Sequence, residues 1–302
     1  MASRDKTNAI WLTVFASLLW GTSFPGTKWG LGFAGNDVFF LWLRFAVATA
    51  VTLGFVLLLK KMSLSIFRNP WIWLVGGFNA AGFILQYVGL TITTASKTSL
   101  LVDINVVAVA VISYFVFRER LGRMQVGGIV VGSLGIVLLT LNEDLVFDPE
   151  QLLGDILVFL AGWSWAFFIV INKKLLDKHT GIELSSAAIA TCMVWLTIPM
   201  AYLVFAGADF SIEPKGWAAI VYLGLACTSV ATLLWALGLE GVSATASATI
   251  MLVEVLTALI ISIGLLEETL SSAAAVGALL VLAAIFLVAG TGSGEREAIK
   301  PA

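Results

Sequence analysis

Three ionisable residues, Arg44, Asp103 and Glu254, lie inside long apolar stretches of this 302-residue chain. If those stretches are helices in lipid, each charge near mid-bilayer costs about 2.5–3.5 kcal/mol on insertion scales. Each must therefore face a watery cavity or a partner. Glu254 sits eleven residues into its stretch, too deep for a short side chain to reach water. Its carboxylate must meet water, a cation or a bound amino group, or take up a proton. Asn105 holds the corresponding place in an earlier stretch, and both read as cavity residues. Asp103 precedes Asn105 by two residues, about 200° around a helix, so the two cannot share a narrow face. Asp103 is then a second cavity acid, or the structural partner of Arg44 or Lys97. Arg44 lies in the outer third of its stretch, where snorkelling or an ion pair is weighed ahead of ligand binding. Lys28 and Lys173 end two other stretches and read as snorkelling cations or as a pair of gates.

Uncharged groups extend the pattern. Trp20, Trp165 and Trp235 lie deep in their stretches, where a ring face can stack on a substrate or hold a cation. Asn79, Gln86, Thr228 and Ser229 each need a hydrogen-bond partner in lipid, and a cavity would supply one. Pro25, between Gly21 and Gly26, can bend the first helix as a gate element. Other chemistries lack their residues. The one histidine, His179, lies in a charged turn, and Cys192 and Cys227 fall in apolar runs, so neither a metal site nor a disulfide is expected. Gly127, Gly128, Gly132 and Gly135 read as a close-packing helix face, not a phosphate loop. With no nucleophile–base pair in view, the expectation is a protein that is not an enzyme and uses no cofactor. A net charge of −2 gives no footing for nucleic acid.

The elements that must position these groups follow from composition. The chain is 60% apolar and 12% charged, with a mean hydropathy of +1.01. Soluble domains run about 25% charged, so the lipid bilayer must be the solvent for most side chains. A spanning helix needs about 20 mainly apolar residues. Ten stretches qualify: 9–29, 38–59, 71–93, 98–117, 124–141, 153–172, 184–206, 216–238, 244–266 and 273–290. Their continuity excludes a β-barrel. The first is expected to stay as a membrane helix and not as a cleaved signal. Loops are short, and residues 1–8 and 291–302 read as flexible cytoplasmic ends. With the N-terminus inside, 13 of the 17 Lys and Arg fall on the inner side and 3 on the outer, with Arg44 within a helix. That asymmetry places both termini in the cytoplasm of a cell membrane. The loop at 142–152, with Glu143, Asp144, Asp148 and Glu150, is then outside.

The two halves resemble each other. Trp20 and Lys28 match Trp165 and Lys173 at an offset of 145, and later positions match at 149. Residues 89–121 against 238–270 give 8 identities in 33, including Gly89 with Gly238 and Glu119 with Glu268. The halves are 9–141 and 153–290. Each contains five helices, an odd number, so the second enters the membrane from the opposite side. The expected fold is all-α, ten transmembrane helices in a 5+5 inverted-topology repeat, the design by which secondary transporters open a midplane site to each side in turn.

The run Leu19–Phe24 with Lys28, Leu43–Phe45, Arg118–Leu121 and Glu267–Leu270 resembles the ten-helix EamA-type branch of the drug/metabolite transporter superfamily. The resemblance covers nearly the whole chain. It implies a central cavity lined by helices 1, 3, 4, 6, 8 and 9, with helices 5 and 10 at the periphery, and transport of small metabolites, often amino acids. Members often carry proline in the middle of helices 4 and 9, where this chain has Asn105 and Glu254. The function expected is amino-acid export by alternating access, with Glu254 or Asp103 near the ammonium group and Asn or Gln side chains near the carboxylate. A protonatable Glu254 would couple flux to a proton gradient. The competing substrate is an organic cation, choline- or polyamine-like. An intramembrane enzyme lacks a catalytic cluster, and a non-transporting receptor is disfavoured by the short loops.

Overall fold

The computed structural model describes residues 3–58, 63–103, 105–117, 123–140, 149–242, 244, 247, 250–269 and 271–291. Its helices are α1 (Ser3–Leu31), α2 (Asp37–Leu58), α3 (Pro70–Ile92), α4 (Ala95–Val102), α5 (Asn105–Phe117) and α6 (Arg123–Thr140) in the first part. They are followed by α7 (Pro149–Leu175), α8 (Gly181–Phe205), α9 (Pro214–Tyr222), a π-helical segment (Leu223–Val230), α10 (Ala231–Gly241), α11 (Leu252–Leu265) and α12 (Ser272–Thr291). Among the described residues the only β-pairing is an isolated bridge, Ala34 to Ile212.

Local sequence explains where several helices begin. Asn69 caps α3 by accepting from Trp71 N, with Pro70 at the first position, where its missing N–H costs nothing. Thr180 and Glu183 form a reciprocal capping box at the start of α8. Thr94 caps α4 through Lys97 N.

Among the described residues, six helices are long and apolar enough to cross a bilayer: Thr7–Leu31, Asp37–Leu58, Pro70–Ile92, Gln151–Leu175, Gly181–Phe205 and Pro214–Gly241. They coincide with six of the ten stretches read from sequence. The other four differ instructively. The stretch 98–117 is broken at Asp103, between α4 and α5. In 244–266 the described residues 244, 247 and 250 are helical, a turn falls at Met251, and α11 follows from Leu252. Stretches 124–141 and 273–290 correspond to α6 and α12. The N-terminal segment read as a flexible tail is helical from Ser3. Arg118–Leu121, most of the loop at 142–152 and the tail from 292 lie outside the described residues.

The outside of the bundle is apolar, and polar side chains are buried inside it among the apolar core. Phe205 is 90% and Leu58 84% exposed, whereas Thr13, Ser17, Arg44, Asn79, Gln86 and Glu254 are buried. An exterior this apolar suits lipid as solvent. Helix α3 packs along α7, α1 along α10 and α11, and α6 along α12 at the rim. Two of these crossings depend on glycine. A Cβ on Gly89 would lie 2.8 Å from Gly154 O, and one on Gly238 would lie 2.9 Å from Ala9 O. Backbones can approach so closely only without a side chain.

Candidate functional site

The inward faces of α1, α3, α7 and the α9–α10 helix enclose a central cavity, closed by the broken region of α4–α5, the start of α11 and Arg44 from α2. Its lining is Trp20, Ser23, Phe24, Arg44, Asn79, Phe83, Gln86, Val102, Asn105, Trp165, Phe168, Ile169, Thr228, Thr232, Trp235, Met251 and Glu254. Spacing puts these side chains together: Trp20, Ser23 and Phe24 share one helix face at i, i+3, i+4, as do Trp165, Phe168 and Ile169. Asn79, Phe83 and Gln86 follow i, i+4, i+7, as do Thr228, Thr232 and Trp235.

Sixteen of the seventeen lining residues fall into eight pairs at the offsets found in the sequence. Trp20 and Trp165, Ser23 and Phe168, and Phe24 and Ile169 are 145 apart. Asn79 and Thr228, Phe83 and Thr232, Gln86 and Trp235, Val102 and Met251, and Asn105 and Glu254 are 149 apart. Arg44 alone has no mate in the lining.

Aromatic rings form much of the wall. Trp235, fully buried, stacks on Phe168 with ring centroids 5.4 Å apart and meets Trp20 at 6.0 Å. Its Nε1 donates to Ser247 Oγ at 3.1 Å. Trp165 packs edge-on to Phe83 at 5.1 Å and donates from Nε1 to Asn79 Oδ1 at 3.1 Å. Polar groups point into this frame with bonding capacity left over. Glu254 Oε2, Asn105 Oδ1 and Arg44 Nη2 are buried without a hydrogen-bond partner. Glu254 stands in the first turn of α11, where the helix dipole favours a negative charge.

Seven of the eight residues expected to contact substrate therefore line the cavity: Glu254, Asn105, Trp20, Trp165, Gln86, Asn79 and Trp235. Asp103 does not. It ends α4, fully buried, with both carboxylate oxygens unpartnered. Nor does it pair with Arg44 or Lys97. Lys97 Nζ instead lies 3.8 Å from Asp155 Oδ2 and donates to Gln151 Oε1 at 3.2 Å. Asp155, which also accepts from Thr93 Oγ1 at 2.7 Å, is buried like Lys97; sequence reasoning missed it because it begins a stretch where water seemed near.

Arg44 corrects another expectation. It neither snorkels nor pairs with an acid; it is 1% exposed and reaches the cavity. Lys28 and Lys173 are also held inside. Lys28 Nζ donates to Leu90 O at 2.6 Å and Thr93 O at 2.7 Å, and Lys173 Nζ to Leu239 O at 2.7 Å and Val242 O at 2.8 Å. Each lysine caps the end of α3 or α10, satisfying carbonyls that a helix terminus leaves free. Pro25 lies within α1, which continues to Leu31. Phe24, Phe83, Phe168, Ile169, Thr232, Ser23, Val102 and Met251 were not foreseen. Applying the helical period and the repeat offsets to Trp20 and Asn79 would have found most of them.

The model of the EamA-like transporter family matches this chain twice, over residues 7–141 and 152–290. The chain belongs to the EamA-like transporter family. Relatives of this EamA-like chain include the uncharacterized transporter YoaV of Bacillus subtilis, 28% identical over 79% of this chain and 82% of that one. An uncharacterized transporter of Archaeoglobus fulgidus is 25% identical over 68% and 70%. A probable amino-acid metabolite efflux pump of Salmonella typhimurium is 24% identical over 64% and 67%. One solved crystal structure superposes with a TM-score of 0.69 at 20% identity, covering 96% of this chain and 99% of its own, which establishes the fold. The protein is thus an all-helical membrane transporter of the drug/metabolite transporter superfamily.

Proposed function

We propose that this EamA-like transporter exports small polar metabolites, amino acids foremost, across the cell membrane by alternating access. The observation that carries the reading is the paired lining. A cavity whose walls come from equivalent positions of two halves can be opened from either side by equivalent movements. The twofold match of one family model and the two lysine caps, each on the end of a corresponding helix, support two repeats of five spans. The odd span number makes their orientations opposite, and the Lys/Arg asymmetry puts both termini in the cytoplasm. Glu254 and Asn105 stand together at the broken centre of the two repeats, with Asn79, Gln86 and the three tryptophans around them. Glu254 receives the substrate's ammonium group or a coupling proton, and Asp103 is a second buried acid, at the end of α4. Export of amino acids draws further support from the relative named as a probable amino-acid metabolite efflux pump.

A second reading, an organic cation, is favoured by Glu254 beside Trp20, Trp165 and Trp235, since aromatic faces hold alkylammonium groups. Flux decides between the two. Purified protein in liposomes preloaded with a mixture of amino acids, choline and spermidine is assayed for efflux by mass spectrometry, with and without a pH gradient. Efflux of a subset of amino acids above protein-free liposomes is expected, faster with the gradient. Efflux of choline or spermidine alone would establish the second reading, and no efflux of any solute would refute both.

A further inference from the structure

We infer that Arg44 is the carboxylate-binding residue of the central cavity, so that the substrate must carry a free carboxylate as well as a cationic group. The inference rests on the amino-acid reading above and specifies it. A guanidinium has five N–H donors and no acceptor. The protein engages it on one side: Nε donates to Thr228 Oγ1 at 2.8 Å and Nη1 to Tyr87 OH at 3.0 Å. The plane is steadied by the Phe83 ring, 4.9 Å from the guanidinium carbon. Thr228 is itself fixed, because its hydroxyl donates to Leu223 O at 2.9 Å across the π-helical turn. Three side chains thus hold the head group rigid, and Nη2 is left buried with no partner.

An arginine that is 1% exposed, with no carboxylate within salt-bridge distance among the described residues, is incomplete as a packing device. A buried cation is tolerated when something neutralises it, and here the free donors belong to a residue that lines the cavity. The same cavity presents Glu254, whose Oε2 is equally unpartnered. The two opposite charges do not bond to each other. A zwitterion satisfies both at once, its carboxylate on Arg44 Nη2 and its ammonium on Glu254, whereas an amine without a carboxylate would bring a second cation beside Arg44. Arg44 is also the one lining residue without a repeat mate. It therefore breaks the twofold likeness of the walls and gives a bound molecule one polarity.

The test uses wild-type protein first. Melting-temperature shifts identify which common amino acids bind, and calorimetry then compares each binder with its amide and its decarboxylated amine. Both analogues are expected to bind about 30-fold more weakly or worse, the loss typical when one partner of a buried charge pair is removed. Arg44→Gln is expected to bind the amino acid as weakly as its amide. If loss of the bonds to Tyr87 and Thr228 unfolds Arg44→Gln, the wild-type analogue series decides alone. Equal binding of acid, amide and amine by the wild type would overturn the Arg44 assignment while leaving amino-acid transport standing. Undiminished discrimination in folded Arg44→Gln would do the same. Binding of amines alone, or of no amino acid, would overturn the amino-acid reading and this inference with it.

Discussion

Glu254→Gln isolates the charge from the shape of the side chain. The amide keeps the length and hydrogen-bonding reach of the carboxylate, but it neither attracts an ammonium group nor exchanges a proton. Glu254 is 6% exposed, and its Oε2 has no partner in the protein, so the substitution breaks no internal bond of that atom. The melting temperature is therefore expected to hold. Function is expected to suffer. A hydrogen bond to a charged group contributes about 1.5–3 kcal/mol, and each 1.4 kcal/mol is a factor of about ten in affinity. Substrate affinity should fall about ten- to a hundredfold, and liposome flux should lose its response to a pH gradient. The assay is calorimetric binding with parallel flux at several internal and external pH values. A folded Glu254→Gln protein with wild-type affinity and wild-type pH response would refute the reasoning, leaving the carboxylate a packing group.

Other outcomes follow from the packing. Gly21→Ala places a Cβ 2.5 Å from Thr257 Cβ and 2.6 Å from Glu254 O, so α11 must shift. A loss of about 1–3 kcal/mol, as for overpacked cores, is expected by thermal or denaturant melting, whereas Gly54→Ala, with nothing within 4 Å, should be neutral. Trp235→Ala should cost about 3–5 kcal/mol of stability, as truncation of a buried aromatic does. Trp20→Ala, at a partly buried ring on the cavity wall, should instead weaken substrate binding in a protein that still folds, read by paired melting and binding curves. Single cysteines at Lys178 and Asp209, both exposed, should label from opposite sides of intact cells in a background lacking Cys192 and Cys227. Labelling of both from one side would contradict the proposed topology.

Hydropathy made the spans legible because a helix in lipid must be apolar for about 20 residues whatever it does. The likeness of the two halves, each matched by one family model, was legible for a related reason: Trp20 with Trp165 and Gly89 with Gly238 are residue types that apolar composition does not readily pair. Depth and facing were less legible. The apolar run around Arg44 does not tell whether its flexible side chain climbs to water or turns inward. That is settled by Tyr87 and Thr228, which lie on other helices. The break at Asp103 carries neither proline nor glycine, and the π-helical turn at Leu223–Val230 leaves no compositional mark. Its Thr228 and Ser229 hydroxyls donate to carbonyls five residues back, a spacing that only the folded helix reveals. Asn105 lines the cavity and Asp103 does not, but the helix is broken between α4 and α5, so the angle of a continuous helix did not separate them.

The apolar exterior also fixes how stability should vary with temperature. In a soluble domain, unfolding exposes apolar surface to water, which raises the heat capacity and bends the stability curve into a dome. Here side chains such as Phe205 and Leu58 already face outward in the native state. Helices separating within a bilayer exchange protein contacts for lipid contacts and wet little new apolar surface. The heat-capacity change of dissociation should be small, and stability should fall almost linearly on warming, without the cold-side weakening that water-driven burial brings.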